Sequence, residues 1–265
     1  MISAIIVKDP SNTPIKWWND VEWLKGRKKI EFKPGLNILF GPNGSGKSTV
    51  LSAIAQMLMC EQGGDQVVTG EALRAIWDNL ANDYKGQPKN GLRIDHDGSP
   101  VHYCNPTKAI GLFGGAFDDD FFLEGVHNSI FKGSEGQTTL RRIDKALAYA
   151  MDPGKYPMPA VSWKQKPHDA AKLAFVEGLF KAKKGTKVVG PTILMDEPTK
   201  SLALPYESNF WRKVPVFAAR SNIQIIVATH SPFALLVPGA HFIETKPGYV
   251  DECTLGVLEY FKVPQ

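Results

Sequence analysis

Eight consecutive residues, Gly41-Pro42-Asn43-Gly44-Ser45-Gly46-Lys47-Ser48, constrain this chain more than any other stretch. They fit the pattern G-x-x-x-x-G-K-[ST], a loop whose backbone N–H groups wrap a phosphate chain. The flanks match the mechanism. An apolar run, Leu36-Asn37-Ile38-Leu39-Phe40, leads in and reads as a buried strand. Residues 49–59 lead out, with Val50, Leu51, Ile54, Leu58 and Met59 spaced for a buried helix. Phosphates would then lie at a helix N-terminus, where unpaired N–H groups and the macrodipole favour an anion. Gly41, Gly44 and Gly46 let the backbone curl closely, and Pro42, Asn43, Ser45 and Thr49 complete the cradle. Lys47 supplies a point charge for the β- and γ-phosphates, and Ser48 a hydroxyl for Mg²⁺. The ligand implied is a nucleoside triphosphate with its magnesium ion.

Composition leaves room for that site and narrows its setting. At 265 residues with 43% hydrophobic content, the chain suits one α/β domain, with residues 61–150 as a sub-lobe. A net charge of +4 is too mild to indicate nucleic acid. Two basic clusters, 25–29 and 181–187, read first as a solvated loop and a helix end, and second as an edge that binds polyanions. Cys60, Cys104 and Cys253 are scattered without metal spacing and fit a reducing, cytoplasmic setting. No run approaches 18 apolar residues, so no membrane span is expected.

Strands are expected at 2–8, 30–33 and 36–40, giving an N-terminal β part. Trp17, Trp18 and Trp23 fall among them; packing is the ordinary use for tryptophan, and contact with an adenine the alternative. A helix is expected at 70–85, then short strands at 91–95, 100–104 and 109–113. Asp118-Asp119-Asp120 reads as a solvated loop rather than a metal site. Helices follow at 137–150 and 168–184, a strand at 191–195, a helix at 205–219, strands at 223–228, 240–245 and 249–251, and a closing helix. Strands alternating with helices indicate a mostly parallel sheet covered on both faces.

Two further strand ends carry chemistry. Thr192-Ile193-Leu194-Met195-Asp196-Glu197 is an apolar run that delivers two carboxylates where the phosphates of such a sheet lie. Asp196 suits the Mg²⁺ shell, and Glu197 suits a general base for the attacking water. Ile223 to Ala228 is another apolar run, ending in Thr229-His230; His230 is placed to bond the γ-phosphate or that water. No Asn-Lys-x-Asp run is present to read a guanine, so ATP is the favoured nucleotide.

Loop, Asp-Glu strand and strand-end histidine, in this order, resemble the ABC-type P-loop ATPase superfamily, which overlaps in motifs with AAA family ATPases. The lead-in from Gly35 to Gly44 is similar to its soluble, SMC-like and DNA-repair branch. The Thr229-His230-Ser231-Pro232 ending, followed by Pro238-Gly239-Ala240, is similar to small stand-alone bacterial ATPases. A transporter subunit usually has Ser-Ala-Leu-Asp after the catalytic glutamate. This chain has Ser201-Leu202-Ala203-Leu204-Pro205, with Ala203 at the aspartate position. The resemblance implies an ATP-dependent, head-to-tail homodimer in which a signature sequence completes the partner's site. Gly133-Ser134-Glu135-Gly136-Gln137 is the candidate, with Ser134 and Gly136 toward the γ-phosphate. Glu135 departs from the usual Gly. The family's Mg²⁺-sensing glutamine has two candidates, Gln66 and Gln87. The resemblance leaves the client open: a protein, DNA in an ATP-gated DNA-associated or defence module, or, less in keeping with these motifs, a membrane transporter.

Overall fold

The computed structural model describes residues 1–7, 21–58, 60–62, 65–66, 92–97, 99, 101–105, 135–151 and 190–262. In chain order the elements are β1 (Ile2–Val7), a 3-10 turn at Glu22–Leu24, β2 (Lys29–Glu31), β3 (Leu36–Phe40), α1 (Lys47–Met57), β4 (Glu61–Gln62), β5 (Asp65–Gln66), β6 (Leu92–His96) and β7 (Val101–Cys104). There follow α2 (Glu135–Met151), β8 (Thr192–Asp196), α3 (Leu204–Ser221), β9 (Gln224–Thr229), a 3-10 helix at Pro232–Leu236, β10 (His241–Glu244) and α4 (Tyr249–Lys262).

Two sheets form. The smaller, in the order β2-β1-β6, is antiparallel. The larger runs β10-β3-β9-β8-β7-β4-β5 and is parallel from β10 through β4. Its central strands β3, β8 and β9 are buried on both faces, which is why they read as unbroken apolar runs. Alternate side chains split between two cores. Leu39, Leu194, Ile226 and Ala228 pack toward α1 and the antiparallel sheet. Ile38, Phe40, Ile193, Met195, Ile225 and Val227 pack toward Phe210, Trp211 and Val214 of α3 and Ile143 of α2. Each such side chain, fully withdrawn from water, contributes about 1.5–3 kcal/mol.

Two buried amides fix how the pieces meet. Gln224 accepts from Ile2 N (2.7 Å) and Thr192 Oγ1 (2.9 Å) and donates to Ile2 O (2.8 Å) and Lys33 O (2.9 Å). It therefore joins β1 of one sheet to β8 and β9 of the other with its hydrogen-bonding capacity used. Asn37 accepts from Lys33 N at 2.8 Å and donates to Lys33 O at 2.7 Å, closing the Pro34-Gly35 turn that delivers β3.

The expected strands and helices that fall on described residues form within a residue or two of their expected ends, with one exception. Residues 249–251 are not a strand but the first turn of α4. The backbone N–H of Tyr249 is capped by the Glu244 carboxylate at 2.9 Å, and Asp251 and Glu252 favour that N-terminus. Tyr249, Val250 and Cys253 then reach the core at helical spacing, which a two-residue apolar pair could not reveal. The helices expected at 70–85 and 168–184, the strand at 109–113, Trp17, Trp18 and the three aspartates 118–120 lie outside the described residues. Trp23 is in the core, as the packing reading expects. Among the described residues no helix is long and apolar enough to cross a membrane.

One buried group gives the fold a pH signature. His102 on β7 is 6% exposed, and burial lowers its pKa to about 4. Its native form is neutral. Between about pH 6.5 and 4 the unfolded chain takes up this proton and the native chain does not, so stability falls with falling pH, by roughly 3 kcal/mol in all. Urea unfolding of the wild type and of His102→Gln at pH 7 and 4.5 isolates this share. The variant should lose roughly 2–3 kcal/mol less than the wild type over that interval. An equal loss in both would show that His102 is not held neutral.

Candidate functional site

Lys47, Ser48, Asp196, Glu197 and His230 belong to the C-terminal edge of the parallel strands or to the segments leaving it. The phosphate loop follows β3, Asn105 follows β7, Asp196 ends β8, Thr229 ends β9 with His230 next, and Thr245 follows β10. Parallel strands put these ends side by side, which is where ligands of such sheets bind.

The loop takes the conformation its glycines permit. Gly44 and Gly46 have φ of 75° and 87°, in the left-handed region that other residues avoid. At Gly41 the constraint is space: a Cβ there would come within 1.7 Å of Thr245 Oγ1. Thr245 also bonds Ser45 Oγ at 2.9 Å, and its N–H donates to Phe40 O at 2.9 Å, so β10 braces the loop from outside. Val21 packs against Gly46 from the other side. α1 begins at Lys47, with Ser48 and Thr49 in its first turn.

Lys47 is 4% exposed, and its ammonium donates to Gly41 O and Pro42 O, each at 2.9 Å. Burial lowers its pKa; the nearby charges of Glu197 and Asp196 act in the opposite direction. One cation and two carboxylates thus share a site of low water content, where each is worth more than at a surface. Ser48 Oγ donates to Asp196 Oδ1 at 2.7 Å, joining loop to strand across 148 residues of sequence. A hydroxyl and one carboxylate oxygen, beside a phosphate cradle, are the donors Mg²⁺ uses when it keeps water and takes phosphate oxygens. The residues therefore fit that ion. Among the described residues no group of three or more His, Cys, Asp or Glu is placed to hold a metal ion.

Glu197 stands apart in geometry. Its φ is 46°, a left-handed conformation costing a non-glycine residue about 1–2 kcal/mol. The turn that holds it so is fixed by Glu197 N donating to Ala228 O at 2.9 Å and by Lys200 N donating to Glu197 O at 3.2 Å. The carboxylate meets His230 Nδ1 at 2.9 Å through Oε1 and takes the Thr229 hydroxyl at 3.4 Å on Oε2. Its side chain is 18% exposed and that of His230 is 46%. Such a pair can hold and orient a water molecule at the mouth of the loop and accept its proton.

The structure therefore brings Lys47, Ser48, Asp196, Glu197 and His230 together. Gly136 lies in the first turn of α2, and Ser134 lies outside the described residues. Glu135 accepts a hydrogen bond from Ser201 Oγ at 2.7 Å, so its carboxylate is engaged with the turn that follows Glu197. Gln66 is on β5, at the far edge of the sheet from β3, and Gln87 lies outside the described residues. β8, which ends in Asp196, lies between β9 and β7. Tyr103 and Asn105, from β7 and its end, both reach Asp196 Oδ2, at 3.4 and 3.0 Å. Sequence reading placed a strand at 100–104 but passed over these two residues, because His102 interrupts the apolar character that marks the other site strands. Thr245 had no local signal.

Residues 20–103 match the family model of an AAA domain. No curated protein matches the chain. Among solved structures, similarity extends to an ABC transporter assigned to the metal-chelate type, in an inward-facing conformation, at 14% identity and TM-score 0.36, over 92% of this chain and 81% of that one. It extends also to CbiO1 from Clostridium perfringens, part of the ABC transporter complex CbiONQ, at 13% identity and TM-score 0.38, over 100% of this chain and 97% of that one. Both likenesses are distant, and the architecture is read from this chain's own strands. Residues 20–103 are thus similar to an AAA domain, and they carry the phosphate loop in a mixed α/β fold of one antiparallel sheet and one larger, mostly parallel sheet flanked by helices.

Proposed function

We propose that the protein is an ABC-type ATPase that binds ATP with Mg²⁺ and hydrolyses it at a head-to-tail interface between two copies, coupling the cycle to a client. The observation that carries this is the juxtaposition of Ser48 with Asp196 and of Glu197 with His230 at neighbouring strand ends.

In this reading, residues 41–49 cradle the phosphates through backbone N–H groups, and Lys47 exchanges its carbonyl partners for β- and γ-phosphate oxygens. Ser48 and Asp196 hold the magnesium ion, which neutralises charge on the phosphates when bound. Glu197 takes the proton of the attacking water. His230 orients that carboxylate and reaches toward the γ-phosphate. The three cysteines are free thiols, which supports a cytoplasmic, reducing setting.

The second copy enters through α2. Its N-terminus, with Ser134 and Gly136, would face the partner's triphosphate. Glu135, one residue before Gly136, accepts a hydrogen bond from Ser201 in the turn after Glu197. Sedimentation velocity of Glu197→Gln tests this. It should be monomeric without nucleotide and dimeric with Mg²⁺ and ATP, and the shift should disappear in Ser134→Arg. A monomer at every ATP concentration that saturates the site would sink the composite-site reading.

A further inference from the structure

The Asp196 carboxylate is held at both oxygens, and unequally. Oδ1 takes the Ser48 hydroxyl at 2.7 Å, on the side of the phosphate loop. Oδ2 takes Asn105 Nδ2 at 3.0 Å and the Tyr103 hydroxyl at 3.4 Å. These two are also bonded to each other, Asn105 Nδ2 to Tyr103 Oη at 3.3 Å, and Ser52 Oγ of α1 meets the same phenol at 3.3 Å. Asp196, Tyr103 and Asn105 are 3–4% exposed. A phenol and an amide set among apolar side chains of β7 cost desolvation, which good hydrogen bonds offset.

We infer that Tyr103 and Asn105 are positioning residues that occupy Asp196 Oδ2 and so confine the site to cations content with a single carboxylate oxygen. Mg²⁺ asks for an octahedron of small radius and takes one oxygen per carboxylate readily. Ca²⁺ is larger, takes six to eight oxygens and commonly engages both oxygens of a carboxylate. With Oδ2 tied to β7, two-oxygen ligation is closed. The tether comes from Tyr103 on the neighbouring strand β7 and from Asn105 directly after it. The inference rests on the reading of Asp196 as the metal-holding residue.

The test is calorimetric binding of ATP in the presence of either Mg²⁺ or Ca²⁺, on wild type, Asn105→Leu, Tyr103→Phe and Asp196→Asn, with no turnover read. Asn105→Leu keeps about the size and removes the donor without adding a charge. Tyr103→Phe keeps the ring and removes the hydroxyl, and it carries the test alone if the first variant does not fold. The wild type should favour Mg²⁺, and each of the two variants should narrow the Mg²⁺ to Ca²⁺ affinity ratio by about five- to tenfold, mostly through gain with Ca²⁺. Asn105→Gln, which restores a donor, should recover part of the preference. An unchanged ratio in both β7 variants, with Mg²⁺-dependent binding intact, overturns the clamp and leaves the metal reading standing. Undiminished metal dependence in Asp196→Asn overturns both.

Discussion

Glu197→Gln should lower the rate of ATP hydrolysis by about 10²–10⁴-fold and leave ATP affinity within a few-fold of wild type. The substitution keeps the shape of the side chain and removes its ability to take a proton. The site is arranged so that this proton matters. Glu197 is held in a left-handed conformation by the β8–β9 pairing, and both carboxylate oxygens are occupied, by His230 and Thr229. A residue kept there at a cost of about 1–2 kcal/mol is oriented rather than free to rotate. His230→Ala should cost less, because the carboxylate survives and loses only one of its two partners. Phosphate release under saturating ATP separates the cases. A Glu197→Gln protein turning over at the wild-type rate would show that the base lies elsewhere.

The second large effect is on binding. Lys47→Ala should weaken Mg²⁺-ATP binding by about 10–100-fold, the range expected for losing a charge-assisted bond to a phosphate in a water-poor site. The loss should exceed what charge alone would produce at a surface, because Lys47 is almost wholly buried. It should also disturb the loop itself: the ammonium holds the Gly41 and Pro42 carbonyls, and both would be left without that donor. Lys47→Arg should not rescue, since the longer fork does not fit a space sized for a point charge. Titration calorimetry of ATP against the two variants checks this; binding of wild-type strength in Lys47→Ala would remove the loop from the account.

The place of Lys47 in the fold was legible because its surroundings are local. A phosphate loop is contiguous in sequence, and its strand and helix flanks are set by periodicity alone. Asp196-Glu197 and His230 were legible for a related reason: each ends an apolar run too regular to be anything but a core strand. What sequence could not give was adjacency. That β7 lies beside β8, and that Tyr103 and Asn105 therefore meet Asp196, follows from strand order, which no local pattern encodes. Thr245 is the same case, since the residue that crowds Gly41 is about 200 positions away. The start of α4 was misread because Tyr249-Val250 is too short to show a period, and its cap, Glu244, sits in the preceding strand.

The most direct test asks what the protein holds after meeting ATP. Glu197→Gln is incubated with labelled ATP and Mg²⁺, passed rapidly over a desalting column and quenched in acid, and the retained nucleotide is separated. The account predicts intact ATP, retained with Mg²⁺, lost with EDTA and absent from the Lys47→Ala/Glu197→Gln double variant. Retained ADP in the proportion found with the wild type, or retention indifferent to Lys47, would contradict it.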